Sequence, residues 1–238
     1  MKAILKKFLI VGTAVVLFAL TLTSCTLDDV FHNRTESYME KILVGESYTA
    51  EHKTADDIYQ TLMVAGNEMY CASKTEEVTN EIFLYHEKES GEYFYVTKST
   101  VGEQVFINKQ SLPVQEYLAV YAQIYSQYAQ SGQLFHYRHI LEMMDTVKDE
   151  NGKIMPDQYT YSEAEKIGDH YKKIEYSVKV ANNSLVLMEE IRDENWAIDE
   201  DATEIEDGEQ SVKTTTIRTT YTNIGKTVIT IPQDVLDK

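Results

Sequence analysis

The chain opens on an uninterrupted apolar run, and its hydrophobic pattern changes several times afterwards. Positions 8–22 are almost entirely apolar and follow three lysines, which is the layout of a secretory signal. Residues 26–53 are polar, lack a sustained period and carry few large aliphatic side chains. The pattern therefore predicts a signal peptide over 1–24, a flexible tether over 25–53, and a single folded domain over 54–238.

Helical spacing of apolar residues predicts several helices in this domain. Thr54 begins a capping box, and apolar residues then recur on one helix face as far as Ala72. A second apolar arc covers 114–128, Gly132 supplies a stop, and a further helix is expected over 134–148. Another capping box, at 162–165, predicts a short helix there.

Alternation of apolar and polar residues predicts β-strands in two other regions. One set lies between the first two helices, over 81–86, 93–96 and 104–107. The other fills the last third of the chain, over 174–180, 185–191, 212–222 and 227–231, with a tight turn at Asn182-Asn183. The two patterns together predict an α+β domain built on an antiparallel sheet.

The apolar leader ends in Leu22-Thr23-Ser24-Cys25. This sequence resembles the lipobox of bacterial lipoproteins. The resemblance implies cleavage between Ser24 and Cys25 and a thioether-linked diacylglycerol on Cys25, with acyl chains such as palmitate. An ordinary signal peptide with an incidental cysteine is the alternative, and the apolar run is shorter than the ~20 residues of a spanning helix. We expect a protein anchored by lipid at the extracytoplasmic face of the cell membrane.

The charge balance restricts the partners of the exported part. Removing residues 1–24, which hold three lysines and no acid, takes the formal charge from −17 to −20. Nucleic acid and anionic headgroups are bound through clustered Lys and Arg, so we expect no nucleic-acid partner and no second means of holding a membrane. Once Cys25 is modified, Cys71 has no partner for an intramolecular disulfide.

The end of the chain carries a second resemblance. Residues 219–232 read Thr-Thr-Tyr-Thr-Asn-Ile-Gly-Lys-Thr-Val-Ile-Thr-Ile-Pro. Together with the expected helix and strands over 54–108, this segment resembles lipoproteins with the LolA/LppX-like half-barrel fold. The resemblance implies a curved antiparallel β-sheet packed against several helices, with an apolar cavity for acyl chains. The helical region over 112–150 departs from that pattern, because the family would have strands there.

A stripe of tyrosines is the most distinctive internal pattern. Tyr117, Tyr121, Tyr125 and Tyr128 share one face of the helix expected over 114–128. Such stripes belong either to a packed core or to a groove for a ligand or partner, since tyrosine combines an apolar ring with a polar end. We take the four residues as a candidate ligand-binding set, with ordinary packing as the alternative.

The remaining polar clusters favour binding over catalysis. His136 and His139 lie on different sides of their expected helix, so a packed histidine is preferred to a metal site. The acidic segment 189–209 lacks the spacing and glycine of an EF-hand, and no catalytic or phosphate-binding motif occurs. The sequence predicts a non-enzymatic lipoprotein, without cofactor or metal, that binds a hydrophobic or lipid-like ligand. An envelope interaction or scaffold module without a cavity is the alternative.

Overall fold

The computed structural model describes residues 27–54, 59–129, 131–167, 170–195 and 212–238. Within them, one antiparallel sheet contains eleven strands in the order β6-β5-β4-β3-β2-β1-β11-β10-β9-β8-β7. The strands are β1 Tyr48–Lys53, β2 Tyr59–Ala65, β3 Glu68–Lys74, β4 Val78–His86, β5 Tyr93–Val101, β6 Gln104–Leu112, β7 Asp145–Lys148, β8 Ile154–Ile167, β9 His170–Ala181, β10 Ser184–Asn195 and β11 Val212–Thr222. The helices are α1 Leu27–Leu43, α2 Val114–Tyr128, α3 Ser131–Ile140 and α4 Gln233–Leu236, with a 3₁₀ turn at Leu141–Met143.

The expected α+β class is confirmed, because an open, curved antiparallel sheet carries helices. Strand β1 pairs with both β2 and β11. The first and last strands of the chain therefore lie side by side in the middle of the sheet and join its two halves. Neighbouring strands are joined mostly by tight turns, and β9 passes into β10 through Asn182 and Asn183 as predicted. Asn183 takes a φ of 59°, a left-handed conformation that asparagine tolerates better than most residues.

One face of the sheet, which we call the helix face, is covered by α1, α2 and α3. Its core joins helix residues such as Met39, Ile42 and Leu134 to alternate strand residues such as Leu62 and Val180, all buried. Five tyrosines also lie in this core with at most 1% of their surface exposed: Tyr48, Tyr117, Tyr137, Tyr159 and Tyr221. Aromatic side chains therefore fill much of the space between the helices and the sheet.

The opposite side, which we call the outer face, is covered only in part. Residues 223–238, which we call the C-terminal strap, follow β11 and pass the start of β1. There Thr227 and Thr49 share a hydrogen bond of 3.1 Å. The strap ends in α4, whose Val235 is fully buried against Phe83 and Phe94. Lys98 and Asp234 form an ion pair of 2.8 Å beside it. The strap covers part of β3 to β6 and leaves the neighbouring strands open.

The predicted tether over 25–53 is wrong from residue 27 onward. That segment forms α1 and β1, and Met39, Ile42 and Tyr48 are completely buried in the core. The folded body therefore includes residues that were assigned to a linker. The sequence signal is weak because α1 is polar on most of its surface and buries only a narrow set of positions in its second half.

Four other sequence expectations are wrong in whole or in part. The helix expected from Thr54 is the β2–β3 hairpin, and the short helix expected at 162–165 lies inside β8. Residues 227–231 form no strand and belong to the strap. The helix over 114–128 is confirmed as α2, whereas the helix expected over 134–148 stops at Ile140 and gives way to a 3₁₀ turn and β7.

Candidate ligand groove on the outer face

The outer face contains a groove with a volume of about 740 Å³ at the middle of the sheet. Strand pairing explains its lining, because directly opposed residues on neighbouring strands project to the same face. Its first row consists of Arg218, Lys53, Tyr59, Lys74 and Thr79, one residue from each of β11, β1, β2, β3 and β4. Neighbouring strands lie about 4.8 Å apart, so the backbones of Arg218 and Lys74, which are three strand spacings apart, are roughly 14 Å from each other.

A second row lies two residues further along the strands, about 7 Å away. It consists of Thr220, Glu51, Thr61, Ala72 and Glu81 in the same strand order. The first four line the groove and offer hydroxyl groups, one methyl group and one carboxylate. Glu81 accepts a hydrogen bond of 3.0 Å from the Tyr70 hydroxyl and lies 3.7 Å from the Lys98 ammonium.

The third row is more apolar and leads to the C-terminal strap. It includes Met63, Tyr70 and Phe83 on β2, β3 and β4. The rings of Tyr70 and Phe83 lie 5.0 Å apart, and Phe83 belongs to the apolar cluster that Val235 closes. Burial, together with the carboxylate of Glu81, raises the pKa of Tyr70, so this hydroxyl stays a neutral donor.

The lining of the groove differs in charge from the rest of the chain. The whole sequence has 39 acidic and 22 basic residues, whereas the described lining contains Lys53, Lys74 and Arg218 against one carboxylate, Glu51. Lys53 holds its ammonium group 4.8 Å from the centroid of the Tyr59 ring, which is 46% exposed. An exposed aromatic ring beside three cations can bind an anion and an apolar group at the same time.

A polar network lies on the helix face of the sheet, beneath the part of the groove that contains Lys53 and Arg218. His52 Nδ1 and Thr219 Oγ1 are 2.8 Å apart, and the Thr219 hydroxyl donates to Gln133 Oε1 at 2.6 Å. The Gln133 amide in turn donates to Glu189 Oε1 at 2.8 Å. Burial lowers the pKa of His52, and Glu189 opposes that shift without reversing it, so burial favours a neutral ring. The network fixes β1, β11 and α3 relative to one another.

The tyrosine stripe of α2 lies on the helix face, away from this groove. Tyr117 is fully buried and donates to the carbonyl oxygen of Asn67, while Tyr121 donates to that of Gly66 at 3.2 Å. Tyr125 meets the Tyr48 hydroxyl at 3.3 Å, and Tyr128 packs against the core from a half-buried position. The structure thus brings the four predicted residues together, with polar ends directed to protein groups.

The residues that the sequence analysis weighed as metal ligands, His136, His139 and the acidic segment 189–209, are not brought together among the described residues. The His136 ring packs 4.8 Å from the Tyr176 ring, whereas His139 is exposed. Within the described residues, no group of three His, Cys, Asp or Glu side chains is placed to hold a metal. Residues 189–195 of the acidic segment form the end of β10, and the rest of that segment lies outside the described residues.

The lipobox cannot be placed, because Leu22, Ser24 and Cys25 lie outside the described residues. Among the helices that the structure describes, none combines the length and apolar character needed to cross a membrane.

Sequence reasoning did not identify the groove residues. The sequence pattern places Lys53 in a tether and Tyr59 in the helix expected from Thr54. It places Lys74 just beyond the end of that helix, so no pattern brings these residues next to Arg218. The available signal is the two-residue loop Gly66-Asn67, with Gly66 at a φ of 63°. Reading that loop as a hairpin would have placed Tyr59 opposite Lys74.

Comparison with known proteins gives no relative: no protein-family model, curated protein or solved structure matches the chain significantly.

Proposed function

We propose that this chain is a lipoprotein, attached through Cys25 to the extracytoplasmic face of the cell membrane, that binds a lipid-like ligand without catalysing a reaction. The observation that carries the ligand proposal is the outer-face groove. Its volume of about 740 Å³ falls within the range typical of sites for one small molecule. Its lining combines the rings of Tyr59 and Tyr70 and the methyl group of Ala72 with a larger number of polar and charged side chains, which can hold the polar end of a ligand.

The proposal includes a half-barrel of the LolA/LppX-like kind with its ligand site on the unusual side. A curved antiparallel sheet with helices on one face is the arrangement which that resemblance implies. The helix side, where a cavity would be expected, contains Tyr117, Tyr137 and Tyr221 with no exposed surface. We therefore place the ligand site on the outer face, where the sheet is open.

The anchor is tested by fractionating cells that produce the Cys25→Ala chain. Residues 1–24 are replaced in this variant by a signal peptide that is removed without lipidation. We expect the variant to leave the membrane fraction and stay folded, because the exported body has a formal charge of −20 and should be repelled by anionic headgroups. Thr26→Ala, next to the lipidated residue, serves as the matched control and should remain in the membrane fraction. Membrane association of Cys25→Ala after a carbonate wash would refute the anchor.

The ligand site is tested by native mass spectrometry of the chain from residue 26, which lacks the acylated cysteine and can be purified without detergent. A stoichiometric lipid-like adduct that survives purification supports the proposal. A spectrum that shows only the protein mass, for material prepared without detergent, contradicts it.

An envelope interaction module remains the second candidate, favoured by a different observation. The tip of the β5–β6 hairpin exposes Val101, Val105 and Phe106 by 46%, 51% and 60%. Strand β6 is also an edge of the sheet, with one neighbour. Edge strands with exposed apolar residues are common sites of strand addition by a partner. Phe106→Lys should abolish such an association and leave the ligand adduct intact.

A further inference from the structure

The rows of the outer-face groove change from cationic to apolar along the strands. The first row carries Arg218, Lys53 and Lys74, and the second carries hydroxyl and methyl groups together with the carboxylates of Glu51 and Glu81. The third row carries Met63 and Tyr70 and continues into the apolar cluster beneath the C-terminal strap. First and third rows are separated by about 13 Å along the strands.

We infer that the ligand of this groove is a single-chain amphiphile whose anionic headgroup binds the first row. Its apolar chain lies over Ala72 and Tyr70, toward the edge of the strap. The inference rests on the proposed function and specifies the class of its ligand. Phosphate or carboxylate oxygens can accept several hydrogen bonds at once from guanidinium and ammonium groups.

Charge complementarity supports an anion in particular. A protein with a net charge of −17 repels anions at long range, so a local cluster of three cations is the part of its surface suited to holding one. Arg218, Lys53 and Lys74 belong to three different strands, and the register of the sheet holds their backbones in one line. Glu51 is the one carboxylate in the described lining and lies in the second row, beyond the cations.

The apolar end favours an amphiphile over an inorganic anion or a polyanion. Across the strands, the first row continues from Lys74 to Thr79 on β4 and Thr100 on β5, which offer a polyanion no further cation. Along the strands, in contrast, Lys74 is followed by Ala72 and then by Tyr70, which lies beside Phe83 on β4, and this order matches a headgroup followed by an alkyl chain. Burying apolar surface adds affinity that a free anion lacks.

The test compares ligands by isothermal titration calorimetry on the Cys25→Ala chain, below the micelle concentration of each amphiphile. Dodecyl phosphate is the probe, and dodecyl maltoside, inorganic phosphate and oligogalacturonate are the comparison ligands. We expect dodecyl phosphate to bind at one site, at least about tenfold more tightly than each comparison ligand. Its affinity should fall as sodium chloride is added, because salt screens exposed charges.

The decisive variant is the triple change Lys53→Gln, Lys74→Gln and Arg218→Gln. It should weaken binding of dodecyl phosphate about 100-fold, since several charge-assisted hydrogen bonds are lost together. The matched control is Lys148→Gln, Lys153→Gln and Lys213→Gln, which removes the same charge from exposed residues outside the groove and should bind like the parent chain. Lys74→Gln alone, expected to lose about tenfold, provides a milder change if the triple variant does not fold.

Four results would overturn the inference. Equal affinity for dodecyl maltoside means that no anion is selected, although the proposed lipid-like ligand then stands. Equal affinity for inorganic phosphate means that the dodecyl chain of the probe adds nothing to the affinity. Tighter binding of oligogalacturonate means that the groove binds a polyanion. Absence of binding by either amphiphile would contradict both the inference and the proposed function.

Discussion

The hydroxyl of Tyr117 on α2 donates a hydrogen bond of 2.5 Å to the backbone carbonyl oxygen of Asn67, in the loop between β2 and β3. The two residues are 50 positions apart in the chain. The bond links α2 to the β2–β3 loop on the helix face. The centroid of the Tyr117 ring lies 4.8 Å from that of the Tyr93 ring on β5. One side chain therefore joins α2 to two separate parts of the sheet.

Tyr117→Phe should lower the free energy of unfolding by about 1 kcal/mol, because the partly buried hydrogen bond from the Tyr117 hydroxyl to the Asn67 carbonyl is lost. Tyr117→Ala should cost about 3–5 kcal/mol, as expected when a fully buried aromatic ring is removed. Leu118→Ala, one residue further on the same helix and 48% exposed, should change stability by less than about 0.5 kcal/mol. Urea denaturation followed by circular dichroism measures all three.

The same variants decide the role of the tyrosine stripe. If Tyr117→Phe removed a bound ligand and left the unfolding midpoint unchanged, the stripe would belong to a binding site, as the sequence first suggested. A loss of stability with the ligand retained would place the stripe in the core.

The sequence predicts the strands well where alternation and turn residues agree. Val178 and Val180 alternate with exposed Lys179, and Asn182-Asn183 ends the strand, so β9 and its turn are correctly anticipated. The strand expected over 212–222 likewise matches β11. Helix α2 is predicted to the residue, because the apolar arc over 114–128 matches its extent.

The β2–β3 hairpin shows why the first helix was wrong. Leu62 and Met69 are seven residues apart and share one helix face, yet each also begins an alternating pair with the residue two positions on, so spacing alone does not decide between helix and strand. The strand pattern is clear only when Leu62 and Val64, then Met69 and Cys71, are compared on either side of Gly66-Asn67. Local capping signals were misleading in the same way at Ser162, where pairing of β8 with β9 determines the structure.

The candidate groove could not be predicted, because it depends on pairings between distant segments. Lys53 and Arg218 are neighbours only through the β1–β11 pair, which joins the beginning of the sheet to its last strand. No local pattern contains that information. The same holds for the C-terminal strap, whose alternating residues 227–231 have the composition of a strand but cross the outer face unpaired.

Val235→Ala should destabilise the protein by about 2 kcal/mol, since Val235 is fully buried and two methyl groups are removed from the outer-face cluster. Leu236→Ala is the matched control, because its neighbouring side chain is 38% exposed. We expect a change below about 0.5 kcal/mol for the control. Equal midpoints of urea denaturation for the two variants would show that the strap does not seal the cluster.

The pKa of His52 gives a prediction for the effect of pH on stability. Burial lowers the pKa in the folded state below the unfolded value of about 6.5, so the unfolded chain takes up the proton first on acidification. His52 therefore makes the protein less stable as the pH falls from 6.5 toward the folded pKa. Above pH 6.5 its contribution is constant.

His52→Asn should reduce this loss, because asparagine keeps a polar group near Nδ1 and does not titrate in this range. The measurement is the free energy of unfolding of both proteins at pH 7.5 and pH 5.5. The difference between them should change in favour of the variant at the lower pH. A constant difference at the two pH values is the outcome that rules out His52 as the titrating group.

The central claim is that the ligand site lies on the outer face of the sheet, and blocking that face tests it most directly. Thr61→Trp places a large ring in the middle of the groove, whereas Leu118→Trp adds the same ring to an exposed position of α2 on the other face. Both variants are made in the chain from residue 26, which carries no acyl anchor, and native mass spectrometry of material purified without detergent reports the bound ligand. We predict that the adduct is lost from Thr61→Trp and retained by Leu118→Trp; an adduct that persists in folded Thr61→Trp would contradict the account.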